Sequence, residues 1–313
     1  MKAFLLDILI CPSCLPREKD ISLHAREKDG DEVLSGALVC GLCGAQYPIR
    51  DGIAELLPRS GPGSARSPSR YESPALVSAY LWSHYADLLG DENASTAYRR
   101  WAELIKPLPG LAVDAGCATG RFTFEMGMKS DMAVGVDYSR AFIKVARKLM
   151  RDGQTPITLI QEGLLTEQVA LHLPESWNRP RVEFIVGDIQ SLPFRSDHFS
   201  SLASLNLVDK VPSPLAHLRE MNRIARRDGG QFLFSDPFSW SREVAREEDW
   251  LGGTSSGPYA GKGIDNVVSL LGGERDVLSP AWDIESRGHV WWKIRNHRNH
   301  FELIRSCFIL ARR

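Results

Sequence analysis

The stretch "VDAGCATG", residues 113–120, decides the fold of most of this chain, because it joins an apolar run to a segment with helical spacing. Gly116 and Gly120 let the backbone approach a ligand closely, and the N-terminus of the helix that follows offers unpaired N–H groups. Taken alone, a glycine-rich turn of this kind would suit a dinucleotide equally well. It predicts a strand, a ligand-binding turn and a helix, in that order.

Apolar runs and helical stretches alternate along the rest of the chain. Continuous apolar strands separated by helices indicate a parallel sheet that is covered on both faces. An open sheet of this α/β type binds its ligand at the carboxyl ends of the strands. The further strand-like runs are "AVGVD" at 133–137, "VEFIVGD" at 182–188, "FSSLASLN" at 199–206 and "GGQFLFSD" at 229–236.

Three successive predicted strands carry an aspartate at or near their carboxyl end. Asp114 precedes the first glycine of the turn and suits a cationic or amine-bearing ligand better than a pyrophosphate. Asp137 lies 17 residues beyond Gly120, where its carboxylate can accept from both hydroxyls of a ribose. Asp188 and Ile189 can contact the polar edge and the apolar face of an adenine. Each acid alone could cap a helix or lie in a turn, but three at successive strand ends indicate one site.

These features together resemble the class I S-adenosylmethionine (SAM)-dependent methyltransferases, over residues 75–313. The resemblance implies a Rossmann-like α/β sheet with helices on both faces, and SAM as cofactor. Ala118 stands where the family's loop usually has a glycine. This is a mild departure if Ala118 keeps a φ below zero, and otherwise the loop would be strained. The cofactor-binding residues that we predict are Asp114, Gly116, Cys117, Gly120, Asp137, Tyr138, Asp188, Ile189 and Asn206.

Four of the six cysteines form two C-x2-C pairs near the start of the chain. Cys11 and Cys14 are separated from Cys40 and Cys43 by 25 residues. A redox pair needs no second pair, whereas a closed tetrahedral zinc site needs four thiolates. We predict one structural Zn²⁺ held by all four cysteines.

The segment "CGLCGAQYPIRDGIAELLP", residues 40–58, adds a second resemblance. It is similar to the zinc-ribbon family that serves as the small activating partner of some tRNA and release-factor methyltransferases. We expect a β-rich zinc ribbon over residues 1–58, through which a protein partner could dock. Residues 59–74, rich in Pro, Ser, Gly and Arg, are predicted to be a flexible linker to the methyltransferase domain at 75–313.

The bulk properties of the 313-residue chain restrict its class. Its formal net charge of −1 is not that of a globally basic nucleic-acid binder, although a local basic patch is not excluded. No apolar run approaches the roughly 20 residues that cross a bilayer, so we expect no membrane contact. Asp7 interrupts the N-terminal apolar run, which argues against a signal peptide. We expect a cytoplasmic protein with reduced thiols.

The downstream segments "SLNLVDKVPSPLAHL" (204–218) and "DPFSW" (236–240) concern the methyl acceptor. They resemble the domain that N-methylates mercaptohistidine in ovothiol synthesis. Asp236 departs from that pattern, in which we expect a small hydroxyl residue. The matching residues are Asn206, Leu207, Asp209, Pro237, Phe238, Trp240, Trp250, Leu251, Gly252 and Gly253.

Methyl transfer from a sulfonium is an in-line displacement, which mainly requires two groups held near attack distance in a dry pocket. Asp209 or Asp236 could orient or deprotonate an amine or imidazole. Trp240 could form an aromatic wall or simply pack in a lid. Arg295, in "WKIRNHR", could clamp a carboxylate, lie in a solvated turn or contribute to an RNA surface.

We therefore expect a methyltransferase that acts on a small polar or heteroaromatic molecule, of a histidine-like or thiol-like kind. Two alternatives stay open at this point. One is a methyltransferase of rRNA, tRNA or protein that uses the ribbon for recognition. The other is a SAM-binding scaffold without catalysis, since displacement chemistry leaves no obligatory catalytic signature.

Overall fold

A computed structural model describes residues 1–59 and 70–313 of the chain. Residues 60–69, which make up most of the predicted linker, lie outside the described residues. Within the described ranges, no helix is long and apolar enough to span a membrane.

The N-terminal region folds into four antiparallel strands. They are β1 (Ile21–Asp29), β2 (Glu32–Cys40), β3 (Gln46–Arg50) and β4 (Ile53–Leu56). Two short 3-10 helices precede them; Cys11 lies at the N-cap of the second one, Pro12–Cys14, and Cys14 ends it. Cys40 ends β2 and Cys43 lies in the turn that follows, so this turn brings the second cysteine pair next to the first.

The larger part of the chain forms the predicted α/β sheet. Its strand order is β9-β6-β5-β10-β11-β13-β12, in which the first five strands are parallel and β13 is antiparallel to both of its neighbours. Strands β7 and β8 form a separate hairpin. The strands are β5 (Leu111–Ala115), β6 (Met132–Asp137), β7 (Gln154–Glu162), β8 (Leu165–His172), β9 (Val182–Gly187), β10 (Phe199–Leu205), β11 (Gln231–Asp236), β12 (Asp283–His297) and β13 (His300–Arg312).

Helices cover both faces of this sheet. Those of one face bury their apolar side chains in one core, with Trp82, Trp101 and Leu149 among them, and those of the other face pack Leu218 and Leu270 into a second core. This arrangement confirms the Rossmann-like class I methyltransferase fold. The helices are α1 (Pro74–Tyr85), α2 (Ala97–Leu104), α3 (Arg121–Gly127), α4 (Arg140–Asp152), α5 (Pro214–Ile224) and α6 (Gly263–Leu271).

The ribbon is joined to the methyltransferase sheet by hydrogen bonds between strands. β4 pairs in parallel with β9, so that Glu55 lies opposite Val186, and the combined sheet has eleven strands. Buried Arg147 of α4 forms ion pairs with Glu183 of β9 and with Glu32 of the ribbon. The boundary predicted at residue 58 therefore lies between two regions that share one sheet and one hydrophobic core.

Candidate functional site

The glycine turn follows β5 and requires glycine at two positions. Gly116 and Gly120 have φ angles of 75° and 86°, which favour glycine. A Cβ atom would lie 2.6 Å from the side chain of Leu207 at the first position and 2.7 Å from the ring of Phe184 at the second. A side chain at either position would therefore collide with these neighbours, so the close packing of the loop requires glycine.

Ala118 in the middle of this loop has a φ of 44°, so of the two cases left open by the sequence the strained loop is the one found. Its N–H donates to Oδ2 of Asp137 at 2.9 Å, and this hydrogen bond holds the loop in the left-handed conformation. Asn206 and Phe238, which follow the ends of β10 and β11, have φ angles of 57° and 56°. Strained backbone of this kind is typical of functional sites, and here it occurs at three places along one sheet edge.

A cavity of about 660 Å³ lies at this edge, against the carboxyl ends of the parallel strands. Its volume is within the range of small-molecule sites. Gly120, behind the loop, is the one predicted cofactor residue that does not line it. The predicted residues that do are Asp114, Gly116, Cys117, Asp137, Tyr138, Asp188, Ile189 and Asn206.

Asp137 is the best-organised acid in the cavity. Its carboxylate accepts from the N–H groups of Ala118, at 2.9 Å, and Ser139, at 2.8 Å. Burial raises the pKa of Asp137 to about 6, against the opposing effect of these two hydrogen bonds. An ionised carboxylate has about four lone-pair sites, so two remain for the hydroxyls of a ribose.

Two further acids face the same space. Asp114 is buried and accepts from the Thr123 hydroxyl at 2.7 Å, and its pKa is raised to about 7 by burial and by the charge of Asp137. Asp188 accepts from the backbone N–H of Gln190 at 2.9 Å. An acid-lined cavity of low exposure favours a cationic ligand.

Helices α1 and α2 close the cavity, and the sequence reasoning missed their contribution. Tyr80 and His84 of α1 and Tyr98 of α2 line it. The Tyr98 hydroxyl lies 2.6 Å from Nε2 of His84, whose Nδ1 lies 3.1 Å from the hydroxyl of Thr119 in the glycine turn. Burial, and then the charge of Arg121, lower the pKa of His84 to about 3, so its imidazole is neutral. The i, i+4 spacing of Tyr80 and His84 was the available signal, but it suits a helix core equally well.

Asp236 lies behind the cavity wall rather than in it. Its fully buried carboxylate accepts from the N–H of Val208 at 2.9 Å and of Phe238 at 2.7 Å, which joins the turns that follow β10 and β11. Burial, and then the nearby charge of Asp209, raise its pKa well above the ordinary value. The residue that replaces the expected hydroxyl thus acts as a bridge between two turns.

Asp209 is also buried, but it is connected to the cavity. Its Oδ2 accepts from the N–H of Ser239 at 2.8 Å and from Nζ of Lys210 at 3.0 Å. Lys210 lines the cavity, whereas Asp209 does not. Asp209 therefore positions a cation at the cavity wall.

The structure does not bring Trp240 or Arg295 to the cavity. Trp240 stacks on Trp250 with ring centroids 6.1 Å apart, as in the lid-packing alternative. Arg295 is 9% exposed, and its guanidinium donates to the backbone carbonyl of Ile160 at 3.4 Å. The roles in acceptor recognition predicted for these two residues, and for Asp209 and Asp236, stay predictions, and none of the four side chains lines the cavity.

The predicted zinc ligands do converge. The Sγ atoms of Cys11, Cys14, Cys40 and Cys43 lie within 4.8 Å of one another, with Cys11 3.6 Å from Cys43 and Cys14 3.8 Å from Cys40. Zinc–sulfur bonds of about 2.3 Å at tetrahedral angles place the sulfurs about 3.8 Å apart. The cluster therefore fits a structural Zn²⁺.

Groups around the cysteines orient this cluster. The Tyr47 hydroxyl lies 3.1 Å from Sγ of Cys11 and 2.8 Å from the hydroxyl of Ser13, which in turn accepts from the N–H of Arg59 at 2.9 Å. Hydrogen bonds to ligand sulfurs of this kind fix ligand orientation around a metal.

Comparison with protein families agrees with this site. Residues 113–234 match the model of the family described as "Methyltransferase domain", and the chain carries a SAM-dependent methyltransferase domain. Residues 2–52 match the family described as "Trm112p-like protein", so the N-terminal region is a Trm112-like domain with a four-cysteine cluster. Among curated proteins, none matches this chain.

Several solved structures resemble the chain at low identity. The YcgJ protein of Bacillus subtilis is 12% identical, with 70% of this chain and 98% of that chain covered and a TM-score of 0.45. A complex of the Haloferax volcanii Trm112 methyltransferase activator with a protein described as a methyltransferase is 15% identical, with 80% and 100% covered and a TM-score of 0.43. Both TM-scores lie below 0.5, so the assignment rests on the family matches and on the site itself.

Proposed function

We propose that this protein transfers a methyl group from SAM to a small polar or heteroaromatic acceptor inside the cavity. The observation that carries the proposal is the convergence of Asp114, Asp137 and Asp188 on one cavity under α1 and α2. Asp137 would accept from the ribose hydroxyls, and Asp188 with Ile189 would contact the adenine. The methionine part would then run along the glycine turn towards Asn206.

The acceptor would occupy the end of the cavity beyond Asn206. Trp292 and Ile304 line the cavity as apolar walls, and Lys210 and Glu302 line it as charged groups. Such a mixture suits a small molecule with a flat or apolar part and polar substituents. A macromolecular acceptor would instead need an extended surface continuous with the cavity.

A chain of hydrogen bonds holds the wall at this end. The indole N–H of Trp292 donates to the hydroxyl of Ser306 at 2.9 Å, and this hydroxyl donates to Oδ1 of Asn206 at 2.5 Å. Ser306 is fully buried. The side chain of Asn206 is therefore fixed, which supports a fixed direction of approach for the acceptor.

SAM, when bound, supplies a methyl group on a positively charged sulfur. The chain's own residues would hold the two reactants in line and exclude water. Acids at the cavity wall would favour the charged donor, and the aromatic rings of Tyr80 and Tyr98 would cover it. No residue needs to form a covalent bond, so positioning would supply most of the rate acceleration.

We further propose that the Trm112-like domain acts as an internal partner of the methyltransferase domain. Two observations support this role. The pairing of β4 with β9 supports the strand that ends beside Asp188. The second observation is an ion pair between Arg140, at the start of α4, and Glu55 of β4. The four thiolates must stay reduced to bind zinc, so we place the protein in a reducing cytoplasm.

Methyl transfer from labelled SAM tests the proposal. Cell extract separated into small molecules, RNA and protein would be offered to the parent protein and to an Asp137→Ala control. We expect label in the small-molecule fraction with the parent only. Label in RNA or protein would favour the ribbon as a recognition module. Binding of SAM without transfer to any fraction would favour the non-catalytic scaffold.

A further inference from the structure

The hydrogen-bonded series Thr119, His84 and Tyr98 is not used by the acceptor chemistry proposed above. All three residues are buried, with exposures of 0%, 5% and 8%. The series begins in the glycine turn and ends at a phenol that lines the cavity. It therefore connects the glycine turn to a residue of the cavity wall.

The direction of the hydrogen bonds follows from the chemistry of the groups. A neutral imidazole has one N–H donor and one bare nitrogen acceptor. The phenol is a stronger acid than an imidazole N–H, so the short contact of 2.6 Å is best satisfied by the Tyr98 O–H donating to Nε2 of His84. Nδ1–H then donates to the hydroxyl oxygen of Thr119 at 3.1 Å. Only lone pairs of the Tyr98 oxygen are left to face the cavity.

The position of this oxygen indicates which part of the ligand it meets. This inference rests on the proposed function: with the ribose at Asp137 and the adenine at Asp188, the rest of the cofactor would extend along residues 116–119. Burial, and then the charge of Asp114, raise the pKa of the Tyr98 phenol well above its ordinary value. The phenol therefore remains protonated, and its oxygen lies in an acidic region next to the glycine turn.

We propose that Tyr98, oriented by His84, holds the positively charged sulfonium of the cofactor and distinguishes SAM from its neutral thioether product, S-adenosylhomocysteine (SAH). The phenol oxygen offers lone pairs to the polarised methyl group on the sulfur, and its proton is directed away to His84. The rings of Tyr80 and Tyr98 add favourable contact with a cation. SAH has no charge on sulfur and would gain nothing from this oxygen, which would assist its release.

The experiment compares binding of three ligands by calorimetry. SAM and sinefungin carry a positive charge at this position, through a sulfonium and an amine respectively, and SAH does not. Tyr98→Phe removes the oxygen and keeps the ring. We expect SAM and sinefungin to bind about tenfold more weakly to this variant, a loss of about 1.4 kcal/mol, and SAH to bind within twofold of the parent, because only the two charged ligands lose the attraction of the oxygen.

Tyr85→Phe is the matched control. Tyr85 lies on α1, is fully buried and donates to the backbone carbonyl of Thr119 at 2.9 Å, but it does not line the cavity. Loss of the Tyr85 hydroxyl should change the affinities for all three ligands by the same factor. An unchanged ratio of SAM to SAH affinity in Tyr98→Phe, or an equal loss for all three ligands, would overturn the proposal. An equal loss would place Tyr98 on a group that SAM and SAH share, such as the carboxylate.

His84→Phe gives a second, independent variant if Tyr98→Phe does not fold. Without the imidazole acceptor, the Tyr98 hydroxyl proton is free to turn towards the cavity, where it would oppose a cation. The preference for SAM over SAH should fall in this variant as well, and an unchanged preference would contradict the proposal. This test needs no acceptor, so its failure can be told apart from a failure of the proposed methyl transfer.

Discussion

The guanidinium Nε of Arg140 donates to Oε1 of Glu55 at 3.0 Å, and Nη2 of the same guanidinium donates to Oδ2 of Asp51 at 3.2 Å. This contact joins the Trm112-like domain to the first turn of α4. The same turn follows directly on the loop of Asp137, and its N–H groups at Arg140 and Ala141 are capped by the carboxylate of Glu72. The ribbon and Glu72, near the end of the predicted linker, thus hold the turn beside the proposed ribose-binding residue from two sides.

Arg140→Ala should therefore weaken SAH binding. The side chain is 36% exposed and the partner carboxylate 18% exposed, so solvent screens the pair and we expect a loss of roughly two- to fivefold. Calorimetry would measure it. Lys148→Ala, which breaks an exposed ion pair with Asp152 on the same helix, is the control and should leave the affinity unchanged. Equal affinities in the two variants would show that the ribbon contact does not support the cofactor site.

Asp137→Asn should reduce SAH affinity much more strongly. Two ribose hydroxyls would lose a charged acceptor, at a cost of roughly 1.5–3 kcal/mol for each hydrogen bond. The new amide group would also face one of the two N–H donors, from Ala118 or Ser139, that the carboxylate satisfies. We expect at least a tenfold loss by calorimetry, with the fold retained by circular dichroism. An SAH affinity equal to that of the parent protein would show that Asp137 does not contact the ligand.

Much of the cofactor site could be predicted from sequence because its signals are local. Gly116 and Asp137 lie directly after apolar strands, and parallel strands bring their carboxyl ends to one edge. The zinc cluster could be predicted for the same reason, since two C-x2-C pairs indicate a four-cysteine site whatever the rest of the fold is. These predictions required only short-range patterns and the geometry of an open sheet.

The remaining parts depend on long-range contacts that leave no local pattern. Glu55 and Val186, which lie opposite each other on the paired strands β4 and β9, are 131 residues apart in the sequence. His84 and Tyr98 look like ordinary core residues until their helices are placed over the glycine turn. Arg295 sits next to a register irregularity between β12 and β13, so the face on which it lies could not be derived from alternation.

Zinc removal should destabilise the whole chain and not only the ribbon. The ribbon shares its sheet and core with β9 and α4, and Glu32 is ion-paired with buried Arg147. We expect one zinc per chain by elemental analysis of protein purified without chelator. Chelation, or Cys40→Ser, should lower the melting temperature of a single cooperative transition. Two separate transitions, with the second at the parental temperature, would show that the two regions unfold independently.

SAH affinity should depend on pH in the weakly acidic range. In the free protein burial raises the pKa of Asp137 to about 6, so this carboxyl is largely protonated at pH 5 and ionised at pH 8. The ribose hydroxyls bind the ionised form, and affinity should therefore rise with pH and level off above about pH 7. Stability of the free protein should change in the opposite sense, because a carboxyl whose folded pKa is raised favours the folded state below about pH 4 and loses that contribution as pH rises through 6. Calorimetric titration from pH 5 to 8 measures the first effect, and a flat profile would show that Asp137 does not accept the hydroxyls.

Ala118→Gly should stabilise the folded protein. Ala118 has a φ of 44°, and an L-residue with a side chain loses roughly 1–2 kcal/mol in the left-handed region. Glycine removes this strain but costs roughly 0.5–1 kcal/mol through the greater freedom of the unfolded chain. The difference predicts a gain of about 0.5–1 kcal/mol in the free energy of unfolding by urea denaturation. The N–H of residue 118 would still donate to Asp137, so SAH affinity should stay within about twofold of the parent. A loss of stability would show that the Cβ of Ala118, which lies against the cavity, contributes more through packing than it loses through strain.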